Sequence, residues 1–156
     1  MRIYLFRHGR AQDHAASDAE RELTAEGEQQ VTAVVTTLQR QRASIARILC
    51  SPYIRARQTA AILARELGDP PVSEFEALLP HTSPQELLAQ LGRLSDESTV
   101  LVGHNPLLSQ LLSLMVEGRV DSGYGLGTAH IAIIDCEFPA IAGGELLEII
   151  QPSTPA

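Results

Sequence analysis

Thr99-Val100-Leu101-Val102-Gly103-His104-Asn105-Pro106 runs from a short apolar segment straight into a polar turn, after which Leu107, Leu108, Leu111, Leu112 and Met115 recur at helical spacing. The first four residues read as a strand. The leucine-rich stretch reads as an amphipathic helix that Gly118 ends. A strand, a polar turn and a helix in immediate succession form one half of a repeating α/β unit, and the rest of the chain supplies its companions.

Arg2 to Phe6 reads as a first strand. Thr24 is placed to cap a helix whose Val31, Val34, Val35 and Leu38 follow the i, i+3, i+4, i+7 rule. Arg47 to Cys50 is a second strand. Ser51-Pro52 then opens a helix carrying Ala56, Ala60, Leu63 and Leu67 before Gly68. A third strand is expected near Val72 to Phe75. Ser83-Pro84-Gln85-Glu86 combines a cap, a proline at the first helical position and a glutamate three residues after the cap, so a helix starts there with Leu87, Leu88 and Leu91 on its apolar face. A glycine-rich link, Gly123 to Gly127, leads to strands at His130 to Ile134 and Glu145 to Ile150. Short apolar runs alternating with amphipathic stretches define an α/β protein, here a three-layer α/β/α sandwich around a mostly parallel sheet. A length of 156 residues suits one domain, expected over 1–151 with a short tail at 152–156.

Composition narrows the function. The chain is 44% hydrophobic and 20% charged, with a formal net charge of -7. That balance argues against nucleic acid as a partner, because duplex binding rests on many Lys and Arg contacts to phosphates. No stretch approaches the roughly 18 consecutive apolar residues of a membrane helix. Met1 to Phe6 is too short for a signal peptide, so no membrane partner is expected. The two cysteines, Cys50 and Cys136, are too few for a disulfide framework and are expected to be plain packing residues of a cytoplasmic protein.

The chemistry concentrates in three polar segments that directly follow predicted strands: Arg7-His8-Gly9, Ser51 to Arg55, and Gly103-His104-Asn105-Pro106. Loops leaving the C-terminal ends of parallel strands converge at one crevice, which brings two histidines and two arginines together. Arginine offers a fork of donors that matches phosphate oxygens. A neutral imidazole beside such cations is a competent nucleophile toward phosphorus. Gly9 is expected to let the backbone approach the anion, and the helix N-termini after Pro52 and Pro106 to add N–H donors. Two histidines also raise a zinc site, but no carboxylate or thiolate flanks them at ligand spacing and the arginines would repel the ion, so no metal is expected. His14, His81 and His130 lack comparable neighbours and read as surface or loop residues.

These segments resemble the signature of the histidine phosphatase superfamily, an Arg-His-Gly triplet after the first strand. Leu23 to Gln30 resembles its helix-opening motif, Ser51 to Ala60 its second-arginine motif, and Val102 to Pro106 its second-histidine motif. The short length and the segment Ala16 to Thr24 are most similar to the SixA-type phosphohistidine phosphatases, a phosphoglycerate mutase-like minimal core without lid insertions. The resemblance implies that 1–151 is a single histidine phosphatase domain. It also implies that His8 accepts the phosphoryl group, that Arg7, Arg55 and His104 bind its oxygens, and that water hydrolyses the intermediate with no cofactor. For the proton donor or site rim, Asp18, Glu76 (or its neighbour Glu74) and Arg21 are candidates.

The substrate implied is phosphohistidine on a protein such as a histidine phosphotransfer domain. A phosphohistidine leaves as neutral imidazole once its ring is protonated, whereas an alkoxide needs a proton donor. A phosphatase of small phosphomonoesters with the same His8 chemistry is the alternative, and an inert module binding phosphate or another small anion is a third reading. A mutase is disfavoured because the chain has little sequence for a lid that excludes water.

Overall fold

The described residues form six strands: β1 (Arg2–Arg7), β2 (Arg47–Cys50), β3 (Val72–Glu74), β4 (Thr99–Gly103), β5 (Ile131–Cys136) and β6 (Gly144–Ile150). The computed structural model that shows them describes residues 1–94 and 97–153; of the expected tail, 154–156 lie outside the described residues. The strands form one sheet in the order β3-β2-β4-β1-β5-β6. β3, β2, β4 and β1 run parallel, and β5 and β6 close the sheet antiparallel. Four helices pack on it: α1 (Ala25–Arg40), α2 (Ile54–Glu66), α3 (Pro84–Leu91) and α4 (Leu107–Glu117).

Side chains alternate across a strand, so each strand feeds two cores. Tyr4, Phe6, Ile48, Val100 and Val102 face α1 and α2, meeting Val31, Val34, Val35, Leu38, Ala56, Ala60 and Leu63. Ile3, Leu5, Leu49 and Leu101 face α3 and α4, meeting Leu87, Leu91, Leu107, Leu108, Leu111 and Met115. The expected three-layer sandwich is the one the chain adopts. Full burial of each such leucine or isoleucine favours the folded chain by roughly 1.5–3 kcal/mol.

Helix starts follow the expected capping chemistry in two cases. Thr24 Oγ1 accepts from Gly27 N and Ser83 Oγ from Glu86 N, each worth about 1 kcal/mol. At the other two the expectation was too simple. α2 begins at Ile54 rather than at Pro52, and no side chain caps it at Tyr53. In α4 the early N–H groups are already used, Leu108 by the His104 carbonyl and Ser109 by Asn105 Oδ1. Two short 3-10 turns, Asp18–Glu20 and Glu76–Leu78, had no apolar period to announce them. Cys50 and Cys136 are buried free thiols, and burial pushes the Cys50 thiol up to about 11. Among the described residues, no helix is long and apolar enough to cross a membrane.

Candidate active site

The crevice follows from the winding. The loop after β1 leads to α1 on one face of the sheet, and the loop after the adjacent parallel strand β4 leads to α4 on the other. Where neighbouring loops part in this way, a cleft opens at the strand ends. Arg7 pairs in register with Gly103, and His8 N–H donates to the Gly103 carbonyl at 3.1 Å. His8 and His104 therefore leave the sheet side by side, with ring centroids 5.2 Å apart.

The hydrogen bonds of His8 fix its chemistry. Its Nδ1 lies 2.7 Å from the Gly9 carbonyl, which can only accept, so Nδ1 carries the proton. Nε2 is then the basic nitrogen, and it accepts from Arg55 Nε at 3.2 Å. Burial lowers the His8 pKa to about 4, the Gly9 hydrogen bond opposes that, and Arg55, Arg7 and Arg21 lower it further. The ring is neutral at physiological pH, with its lone pair pointing at a guanidinium. That is the state a nitrogen nucleophile requires.

Arg55 is buried on the first turn of α2. Besides His8 it reaches Asp18, donating from Nη1 to the backbone carbonyl at 2.6 Å and from Nη2 to Oδ2 at 3.3 Å. Arg21 Nη1 holds the other carboxylate oxygen at 2.8 Å. The Arg21 hydrogen bond, ahead of Arg55, keeps Asp18 below the usual carboxylate range despite some desolvation. Asp18 is thus ionised at neutral pH and is no reservoir of protons. The structure brings Asp18 and Arg21 to the rim; among the described residues no hydrogen bond or ion pair joins Glu76 to the cluster. Glu76 is exposed and lines a separate cavity of about 680 Å³ with Phe75, Leu79, His81, Ser83 and Gln90. Glu74 pairs with Arg57 on the surface at 3.4 Å.

Arg7 is held from the opposite side. Its Nη1 donates to the Leu126 carbonyl at 2.9 Å, and its Nε is buried with no partner among the described residues. Gly9 also has a packing task that was not expected. Its N–H already donates to Thr59 Oγ1 at 3.2 Å, and an added Cβ would lie 2.6 Å from the Gly27 carbonyl. It is glycine because α1 packs against the turn. His14 and His81 are exposed as expected. His130 is half-buried beside Gly127, its Nδ1 has no partner among the described residues, and burial with Arg7 lowers its pKa.

His104 is buried at the end of β4. Its Nε2 lies 2.7 Å from Ser51 Oγ, while Nδ1 is buried without a partner among the described residues. Burial, then His8 and Arg55, lower its pKa to about 3, with Asp18 opposing. Ser51, Tyr53, Thr59, Asn105 and Leu126 were not singled out from sequence as supports of the cluster. Ser51, Tyr53, Thr59 and Asn105 sit inside the quoted motifs, which was the available signal. Leu126 contributes only a backbone carbonyl and gave none.

The chain matches the family model described as histidine phosphatase superfamily (branch 1) over residues 3–79. It is 41% identical to an uncharacterised protein of Picosynechococcus, over 84% of this chain and 82% of that one. It is 32% identical to the phosphohistidine phosphatase SixA of Escherichia coli, over 76% of each. Among solved structures, the protein histidine phosphatase SixA complexed with tungstate superposes with a TM-score of 0.89 at 27% identity, over 97% of both chains. The chain belongs to the histidine phosphatase superfamily, and within it to the SixA type. It is accordingly an enzyme, a hydrolase of phosphate bonds.

Proposed function

We propose that the chain removes phosphoryl groups from phosphohistidine on proteins, with histidine phosphotransfer domains of cytoplasmic signalling proteins as the substrate class and 1–151 as one catalytic domain. The observation that carries the mechanism is the unprotonated His8 Nε2, which accepts a hydrogen bond from Arg55 Nε. In the first step its lone pair attacks phosphorus, the substrate P–N bond breaks, and the ring-protonated substrate histidine leaves as neutral imidazole. In the second, water attacks the phosphorus of phospho-His8 and the P–Nε2 bond breaks, which releases phosphate and restores His8. Arg7, Arg55 and His104 carry the equatorial oxygens. Fixed charges of this kind stabilise the transition state without reorganising.

The choice of phosphohistidine rests on protons. The carboxylate paired with Arg55 is held ionised by Arg21, and Glu76 stands in another cavity. A substrate whose leaving group needs no donated proton matches that site. That a solved SixA protein is complexed with tungstate supports binding of an oxyanion by this fold.

The test is phosphate release from a phosphohistidine-bearing phosphotransfer domain, beside a panel of small phosphomonoesters. Wild type should act on the protein, and His8→Ala should lose at least about a thousandfold, as expected when a nucleophile is removed. Preference for small esters would overturn the substrate and leave the His8 mechanism. Inactivity on both would leave only anion binding.

A further inference from the structure

His104 is packed edge-on between two rings, His8 and Tyr53, each with its centroid 5.2 Å away. Its plane is therefore set, but which nitrogen carries the proton is decided elsewhere. Ser51, which is fully buried, makes that decision through its own hydrogen-bond inventory. Ser51 Oγ has two partners among the described residues: Tyr53 N–H at 3.2 Å and His104 Nε2 at 2.7 Å. The Tyr53 amide can only donate. The Ser51 proton thus has a single acceptor in reach, His104 Nε2. Were Nε2 protonated instead, Ser51 Oγ would receive two N–H groups while its own O–H pointed at nothing, and an unmatched buried hydroxyl is costly.

We propose that Ser51 is a positioning residue that holds neutral His104 in the tautomer protonated on Nδ1, so that this N–H is presented to a phosphoryl oxygen in the crevice. The inference rests on the phosphatase reading above and explains how His104 serves it. Nδ1 is the buried His104 atom with no protein partner, on the ring that packs against His8. The imidazolium form, which would donate from both nitrogens, is disfavoured by burial and by the neighbouring cations. A donor must then come from the neutral ring. Only the Nδ1–H tautomer supplies one at the nitrogen that Ser51 does not engage and that has no partner among the described residues. The same logic governs catalytic histidines whose orientation depends on a hydrogen bond to the far nitrogen.

The test reads the tautomer directly. Long-range proton–nitrogen correlation spectra of the full chain labelled with nitrogen-15 histidine distinguish the two neutral forms, and with five histidines the His104 signals are assigned by their loss in His104→Gln. Wild-type His104 should show the Nδ1–H pattern without any substrate. In Ser51→Ala it should move to Nε2–H, the form an unconstrained imidazole prefers, and kcat should fall at least about tenfold, within the range for loss of one preorganised donor. An Nε2–H pattern in wild type overturns the proposal, and so does an Nδ1–H pattern retained in Ser51→Ala. If that variant does not fold, the wild-type spectrum decides alone. An Nδ1–H wild type with no phosphatase activity would sink the functional reading while leaving the tautomer assignment standing.

Discussion

The parallel side of the sheet, β3-β2-β4-β1, and the antiparallel side, β5-β6, solve different problems. All five residues of β4 are buried, as are four consecutive residues of β1. Helical connections cover both faces there and bring each strand to the same edge. His8, Ser51, Arg55 and His104 emerge at that edge. β6 instead mixes exposed and partly buried positions, and the hairpin joining it to β5 exposes Phe138 and Ile141. The antiparallel side contributes no proposed catalytic side chain. What it sends to the crevice is backbone: the Leu126 carbonyl on Arg7 and Asn105, the His130 carbonyl on the Arg7 amide, and the Ala129 amide on the Arg7 and His8 carbonyls. One side of the sheet carries the side chains of the proposed chemistry and the other holds them in place through backbone.

The strongest way to break that division is to show that the chemistry is not confined to the convergent loops. Arg55 and Arg57 lie two residues apart on α2, and only Arg55 faces the crevice; Arg57 is exposed and pairs with Glu74. Arg55→Ala should cost about 10²–10³ in kcat, the loss typical of one preorganised donor to a developing charge. Arg57→Ala removes an exposed ion pair, worth at most about 1 kcal/mol, and should leave kcat within about twofold. Steady-state kinetics on the phosphoprotein substrate decides. Equal losses in both variants would show that charge near α2, rather than the geometry of Arg55, is what matters.

Two glycines sharpen the contrast in packing. Gly27 lies in the first turn of α1, where a Cβ would run into the backbone of Arg10. Gly→Ala inside a helix ordinarily gains about 1 kcal/mol from propensity. Here the overlap should reverse the sign, with a net loss of about 1–3 kcal/mol. Gly125, in the link on the other side, would meet nothing within 4 Å, so Gly125→Ala should fall within about 0.5 kcal/mol of wild type. Urea unfolding of the two variants measures the difference. A stabilised Gly27→Ala would mean that the turn after β1 can move away from α1.

The same division governs how much could be read from sequence. β1, β2 and β4 were visible as apolar runs because parallel strands are buried on both faces, and α1 and α3 because Thr24 and Ser83 cap them by local rules. Arg7, His8, Arg55 and His104 were legible because each ends or follows a strand whose direction fixes where its loop goes. Asp18 could be placed near the site, but its double pairing with Arg21 and Arg55 could not be foreseen, since it depends on a 3-10 turn that no apolar period announces. The packing of Gly9 against Gly27 was not legible, because the two are 18 positions apart in the chain and no local rule brings them together. Ser51 carried no visible role, because its bond to His104 spans 53 residues. The Leu126 carbonyl could not be foreseen at all, since backbone acceptors leave no mark in side-chain identity.

The smallest expected effect lies at the seam between the two sides. Asn105 Nδ2 donates to the Leu126 carbonyl at 2.7 Å, and Oδ1 accepts from Ser109 Oγ at 2.9 Å and from Ser109 N at 3.3 Å. Leu126 is the same carbonyl that receives Arg7 Nη1. Asn105→Asp removes the donor and sets a carboxylate oxygen against that carbonyl, at a cost of about 1 kcal/mol for the lost bond. A negative charge at the start of α4 returns about 0.3–1 kcal/mol through the helix dipole. The two nearly cancel in stability, so the melting temperature should barely move. They do not cancel in position, because the dipole contribution does nothing for the 126 carbonyl. Arg7 then loses the fixed partner that aims its guanidinium, and kcat should fall a few-fold, about 1 kcal/mol in the barrier. Hydrolysis of small esters should not rise in exchange, since residue 105 points toward Ser109 and Leu126 rather than toward the leaving group. A fall in melting temperature with kcat unchanged would show that this bond serves only to fasten α4, and that the antiparallel side does not aim Arg7 through it.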